Sequence, residues 1–138
     1  MKKVILDTNV VLDVLLERKP FVLPAAEIFE LAEHSRIEAF LCATTITTVD
    51  YILRQSLPAT ESRETLRRLL SLFEIAPVNR LVIKKAMRSR IFDFEDAVLD
   101  EAGILAGVEA IVTRNSKHFA GSTLRILDPI QFLDQVEK

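Results

Sequence analysis

The sequence predicts an α/β fold: a central, mostly parallel β-sheet flanked by helices on both faces. Three observations carry that prediction. Short apolar runs alternate with longer segments whose apolar residues recur at helical spacing. The chain is 49% hydrophobic with only 3 Gly and 5 Pro, a balance that suits a helix-rich globule without linkers. Its 138 residues are the length of one domain with a full core, so residues 1–138 read as a single unit.

Each element has its own justification. Val4–Leu6 is a short apolar strand, and Asn9–Arg18 follows with a helical pattern. Lys19-Pro20 breaks that pattern, and Pro24 suits the first turn of a second helix through Ile28, Phe29 and Leu31. Glu38–Ala43 reads as the second strand. Ile46, Val49, Ile52 and Leu53 recur at helical spacing across Thr44–Ser56, despite its threonines. Glu61–Phe73 is amphipathic, with Leu66, Leu69, Leu70 and Phe73 expected inward. Glu74–Val78 is extended, and Arg80–Arg90 is a helix with a basic end. Asp93 and Gly107 suit the cap and the stop of the next helix. Strands at Glu109–Thr113 and Leu124–Leu127 and a helix at Pro129–Val136 complete the chain.

Composition excludes several functional classes. A single cysteine, Cys42, rules out an internal disulfide and a cysteine-based metal site, and its neighbours suggest a buried apolar role. His34 and His118 fit no ligand spacing. Asp7, Asn9 and Asp13 interrupt any secretory-type apolar region, and no run approaches the ~18 apolar residues of a membrane span, so a cytoplasmic protein with no membrane association is expected. The net charge of −2 lacks the bulk positive footprint of a nucleic-acid binder, so any polyanion contact must be local.

The most informative stretch is Asp7-Thr8-Asn9, directly after the first strand. An acid there sits at the carboxyl end of a sheet, where open α/β folds build their sites, although Asp7 or Asn9 also suits a helix cap. Asp50 follows the second strand, one turn into the expected helix; Asp96 lies in the first turn of a later helix; Asn115 follows the strand ending at Thr113. Each has a structural alternative. Thr47-Thr48-Val49-Asp50 and Asp93-Phe94-Glu95-Asp96 both resemble capping boxes, and Asp100 suits a solvated surface. As a set, these polar residues follow different strands and converge on one edge. Clustered carboxylates repel one another unless a cation lies between them, and Mg²⁺ or Mn²⁺ is the hard ion that oxygen ligands prefer.

From Lys3 to about Leu133 the chain resembles a PIN domain, the nuclease fold of VapC-type toxins and other bacterial ribonucleases. The motifs that carry the resemblance are Val4–Val10, Thr45–Leu53, Asp93–Ala97 and Ile111–Phe119, in that order. The resemblance implies a PIN-like fold and metal-dependent hydrolysis of RNA. It implies Asp7 and Asp96 as ligands of Mg or Mn, directly or through water, and Asp50 as a ligand or a base. That position is usually glutamate in the family. Asn115 stands where a further acid is common, and Asp100 lies near the same cleft. Thr8, Asn9 and Thr113 match polar positions that hold the acids or ligating waters. A homodimer and an antitoxin protein partner are also implied.

For RNA contacts the sequence offers Lys84, Lys85 and Arg88 on one side of a helix, with Arg90 at its end, and the i,i+4 pair Arg63 and Arg67. A solvated face of mixed charge is the competing account of each, and no aromatic stacking platform is evident. The departures at Asp50 and Asn115 motivate a rival function, a catalytically weak or inactive PIN-like binding module. A phosphohydrolase or receiver-type phosphoacceptor fits less well, because Asn9 stands where an aspartyl phosphatase needs its second acid.

Overall fold

The computed structural model describes residues 2–136; Met1, Glu137 and Lys138, which the expected 1–138 unit includes, lie outside the described residues. Five parallel strands, β1 (Lys2–Leu6), β2 (Ile37–Cys42), β3 (Glu74–Ala76), β4 (Ala110–Val112) and β5 (Arg125–Leu127), form one sheet in the order β3-β2-β1-β4-β5. The chain builds outward from β1 through β2 to β3, then returns across the sheet to β4 on the other side of β1. That reversal makes the carboxyl ends of β1 and β4 a topological switch point, where doubly wound sheets hold their ligands.

The strands are apolar on both faces because both faces are covered. Val4 and Leu6 of β1 point into a core with α1 (Thr8–Leu15), α2 (Val22–Glu33), α3 (Ala43–Leu53), α4 (Ala59–Leu72) and α7 (Pro129–Val136). Ile5 points the other way, into a core with α5 (Arg80–Ala86) and α6 (Phe94–Ala106). Cys42 is fully buried in this second core, as an apolar residue.

Capping sets several element boundaries. Asp7 caps α1, so that helix starts at Thr8 and ends at Leu15, short of the expected Arg18. Asn79 caps α5 through the Val82 N–H, and Asp93 caps α6 through the Asp96 N–H. Gly107 closes α6 in the left-handed region, at φ 82°. Pro24 falls in the first turn of α2, as its third residue, where its missing N–H costs no helical bond. Other expectations need correction. The α3 helix starts at Ala43, so Thr47 to Asp50 form no capping box; the Thr47 and Thr48 hydroxyls bond back to the Thr44 carbonyl at 2.9 and 3.1 Å. Asp50 therefore lies near the far end of α3, not one turn in. Leu70 is 54% exposed, at the edge of the stripe that buries Leu69 and Phe73. Helix α5 stops at Ala86, and the expected stretch to Arg90 leaves the helix.

Candidate functional site

The switch point is built around Asp7. Its backbone N–H extends the β1–β4 ladder by donating to the Val112 carbonyl at 2.9 Å, which fixes its extended backbone. The carboxylate is 9% exposed. Its Oδ1 accepts the Thr8 N–H at 2.8 Å, and its Oδ2 accepts the Thr113 hydroxyl at 2.7 Å and the Asn9 amide at 3.2 Å. Asp7 is thus a helix cap and the floor of the switch point at once. Burial raises its pKa from the ordinary value, opposed by the bonds from Thr113 and Thr8 and more weakly by the His118 and Arg114 charges.

Asp96 enters the same electrostatic field from the first turn of α6, with a carboxylate that is 19% exposed. Its pKa is pushed up to about 6, first by burial and next by the negative charge of Asp7; Asp93 and Glu95 add to this, and His118 opposes it. His118 Nδ1 lies 3.8 Å from Asp96 Oδ2. The short 3-10 helix Ser116–Phe119 carries His118 there, anchored by the buried Phe119 ring. One more polar atom stands out: Asn9 Oδ1 is buried without a hydrogen-bond partner.

Supporting contacts tie these residues to α3 and to one another. Thr8 and Thr45 share a hydroxyl hydrogen bond at 2.9 Å, which joins α1 to α3. Thr113 Oγ1 also accepts the Asn115 N–H at 3.0 Å, and the Asn115 carbonyl accepts the His118 N–H at 2.9 Å. Asn115 therefore works through its backbone, while its side chain is exposed.

Two expected acids point elsewhere. Asp50 Oδ1 accepts the Ser62 hydroxyl of α4 at 2.7 Å, while Thr45 and Thr48 occupy other faces of α3. Asp100 is buried against the Ser122 hydroxyl; burial raises its pKa and the Ser122 bond opposes the rise. Among the described residues, no three His, Cys, Asp or Glu side chains gather closely enough to cage a metal ion. The expected basic residues are also dispersed. Lys85 lines a small cavity with Glu101 between α5 and α6, Lys84 and Arg88 are exposed, and on α4 Arg67 pairs with Glu64 while Arg63 is exposed. The basic residues beside Asp96 are instead Arg90, Lys117 and His118, which line a cavity of about 550 Å³.

Sequence reasoning missed His118 and a second buried acid. Asp13 is fully buried and receives Arg114 in a two-pronged pair, Nε to Oδ2 at 2.6 Å and Nη2 to Oδ1 at 3.2 Å. Arg18 adds a looser contact at 3.7 Å, and the Arg114 guanidinium lies 3.9 Å from the Phe21 ring centroid. The available signal was the helical register, which puts Asp13 among Val10, Val11 and Leu12 of α1. Arg114 directly follows Thr113, so this pair also holds the end of β4 where Thr113 meets Asp7.

The donor set suits a hard divalent cation. Asp7 and Asp96 are two carboxylates whose charges disfavour one another, and Asn9 offers an oxygen without a partner. One or two carboxylates completed by water is the usual way a protein holds Mg²⁺.

The comparisons with known proteins agree with this architecture. Structures of similar fold include VapBC2 from Rickettsia felis bound to a promoter DNA fragment, at 17% identity and TM-score 0.68, covering 91% of this chain and 98% of that one. A toxin–antitoxin complex from Klebsiella pneumoniae matches at 20% identity and TM-score 0.68, covering 91% and 97%. FitAB bound to the IR36 DNA fragment matches at 17% and TM-score 0.70, covering 91% and 94%. No curated protein sequence matches the chain. The sequence model of the PIN domain matches residues 3–117, most of the chain, and the protein belongs to the PIN domain family.

Proposed function

We propose that this protein is a metal-dependent ribonuclease that hydrolyses RNA phosphodiester bonds, and that it is the toxin of a toxin–antitoxin pair. The observation that carries the catalytic reading is the Asp7–Asp96 pair. Two carboxylates share one field at the switch point, both with raised pKa values and neither in contact with an arginine or lysine among the described residues. Perturbed acids in such a place mark functional sites more often than structural ones.

In this reading Asp7 and Asp96 hold Mg²⁺ or Mn²⁺. The ion, when bound, lowers the pKa of a ligating water and polarises the phosphodiester. Thr113, Thr8 and Asn9 fix the orientation of Asp7, and the free Asn9 oxygen accepts from a ligating water. His118 faces Asp96 and the incoming phosphate. Asp50 and Asp100 are assigned no part in the reaction, because each already serves a neighbouring serine.

The toxin role rests on the similar folds named above, one of them a toxin–antitoxin complex, and the partner proposed is an antitoxin. Self-association is proposed through the exposed apolar side chains Phe21, Leu23 and Ile130. No helix among the described residues is long and apolar enough to cross a membrane, which is compatible with the proposed cytoplasmic location. That no three metal-ligating side chains gather among the described residues favours the rival reading, a weak or inactive binding module.

Calorimetry with Mn²⁺ and cleavage of single-stranded RNA separate the two. A ribonuclease binds Mn²⁺ and cleaves RNA, and Asp7→Asn or Asp96→Asn reduces both to background. A wild-type protein that binds no Mn²⁺ and leaves RNA intact is the binding module.

A further inference from the structure

The segment between α5 and α6 has no role in the ligand set above, yet it lies beside it. Ile91 is buried, and its N–H donates to the Ser89 hydroxyl at 3.0 Å, so the chain is pinned at that point. The next side chain, Phe92, is fully exposed at 101%. It lines the 550 Å³ cavity together with the acids Asp93, Glu95 and Asp96 and with Arg90, Lys117 and His118. The volume falls within the ~300–1,000 Å³ of small-ligand sites.

The opposite wall is held close. Gly121 has φ 102°, and a Cβ placed on it would lie 3.0 Å from the Arg90 Cβ. Only glycine allows the loop after the 3-10 helix to pack against Arg90 in that conformation. Arg90 and Lys117 thus come from two segments that close on one another, and neither is in an ion pair among the described residues. An exposed phenylalanine alone signifies little. One beside two uncommitted cations and a metal-binding carboxylate has the elements of a single-stranded nucleic-acid site: a ring for a base and charges for the backbone.

We propose that this cavity is a subsite for one unpaired nucleotide of the RNA, its base stacked on Phe92 and its phosphate held by Arg90 and Lys117. The proposal rests on the ribonuclease reading and names the form of its substrate. Stacking needs a free base face, so the subsite takes single-stranded RNA and rejects a duplex.

The test uses fluorescence anisotropy with a labelled single-stranded RNA in EDTA, where no cleavage interferes, and a parallel RNA carrying 2-aminopurine. Phe92→Ala weakens RNA binding about tenfold, the loss expected of one stacked base. Phe92→Trp restores binding, Phe92→Leu does not, and the wild type quenches 2-aminopurine while Phe92→Ala does not. Mn²⁺ binding, read by calorimetry, stays unchanged in all three variants, because Phe92 has no side-chain atom that can ligate the ion. Unchanged RNA affinity in Phe92→Ala, in a wild type that cleaves RNA, overturns the subsite and leaves the ribonuclease reading intact; Phe92 is then a protein contact. RNA binding through Phe92 without Mn²⁺ binding or cleavage sinks the ribonuclease reading and keeps the subsite. A wild type that binds no RNA removes both.

Discussion

Asp7 and Asp13 are buried acids at the two ends of helix α1, and they are treated in opposite ways. Consecutive residues of one loop serve them: Thr113 donates a hydroxyl to Asp7, and Arg114 gives Asp13 a full two-pronged counter-charge. Asp13 is thereby neutralised and closed off. Asp7 is oriented by neutral donors, left without a touching cation, and set in the field of Asp96. The difference is between an acid whose charge is paired and one whose charge is not. A buried charge with its partner in place has nothing further to bind, whereas a buried charge held in position without one is a site for a cation.

The largest expected effect comes from giving Asp13 the isolation of Asp7. Arg114→Met leaves a fully buried carboxylate with only the looser Arg18 contact and should cost up to about 3–5 kcal/mol, read from the urea midpoint. The double variant Asp13→Leu with Arg114→Met should recover most of that loss, because both charges are gone. No recovery would mean that Arg114 stabilises mainly through its stacking on Phe21.

A smaller effect tests the other side of the comparison. The Asp96 pKa is raised from 3.8 to about 6, so its contribution to stability is full below pH 3.8 and is lost as the pH climbs to about 6. Without metal, the melting temperature of the wild type relative to Asp96→Asn should therefore fall by a few degrees across that window and level off above it. The raised pKa of Asp7 acts in the same direction, but Asp7→Asn also loses hydrogen bonds that only a second carboxylate oxygen can accept. Saturating Mn²⁺ should reverse the ranking of wild type and Asp96→Asn, since only the wild type gains from the ion. A flat difference between wild type and Asp96→Asn would remove the electrostatic coupling on which the proposed site depends.

The smallest effect isolates the orienting hydroxyl. Thr113→Val keeps the shape of the side chain and removes its bond to Asp7, at a cost of about 1 kcal/mol in stability. Mn²⁺ affinity, read by calorimetry, should drop about tenfold, as when a ligand loses its supporting partner. Equal Mn²⁺ affinity in the two proteins would place Asp7 outside the ligand set.

Much of the fold was legible in the sequence. The short strands, the helical stripes, the Asp93 cap, the Gly107 stop and the closing helix Pro129–Val136 are local signals, written in residues a few positions apart. The candidate site was legible only in part. Asp7 and Asp96 stand out because each follows a recognisable boundary. Asp50 holds a similar place in the chain, and only the structure shows that its carboxylate accepts from Ser62 of α4. The Thr47–Asp50 pattern suggested a helix start that the strand-to-helix junction at Cys42 had already supplied. His118 and Phe92 gave no signal at all, since one gains its meaning from Asp96 and the other from Arg90 and Lys117.

By itself, the sequence determined the alternation of strand and helix, the parallel sheet and the acid at its first strand end. Those follow from hydrophobic periodicity and capping, which act over a turn or two of chain. Only the tertiary structure decided which acids share a field, which one receives Arg114, and which side chains line the cavity beside Asp96. Those outcomes depend on strand order and helix rotation, which bring residues 113 and 114 against residues 7 and 13. Burial and distance then decide whether a charge is neutralised or left to bind an ion, and neither is encoded within a single segment.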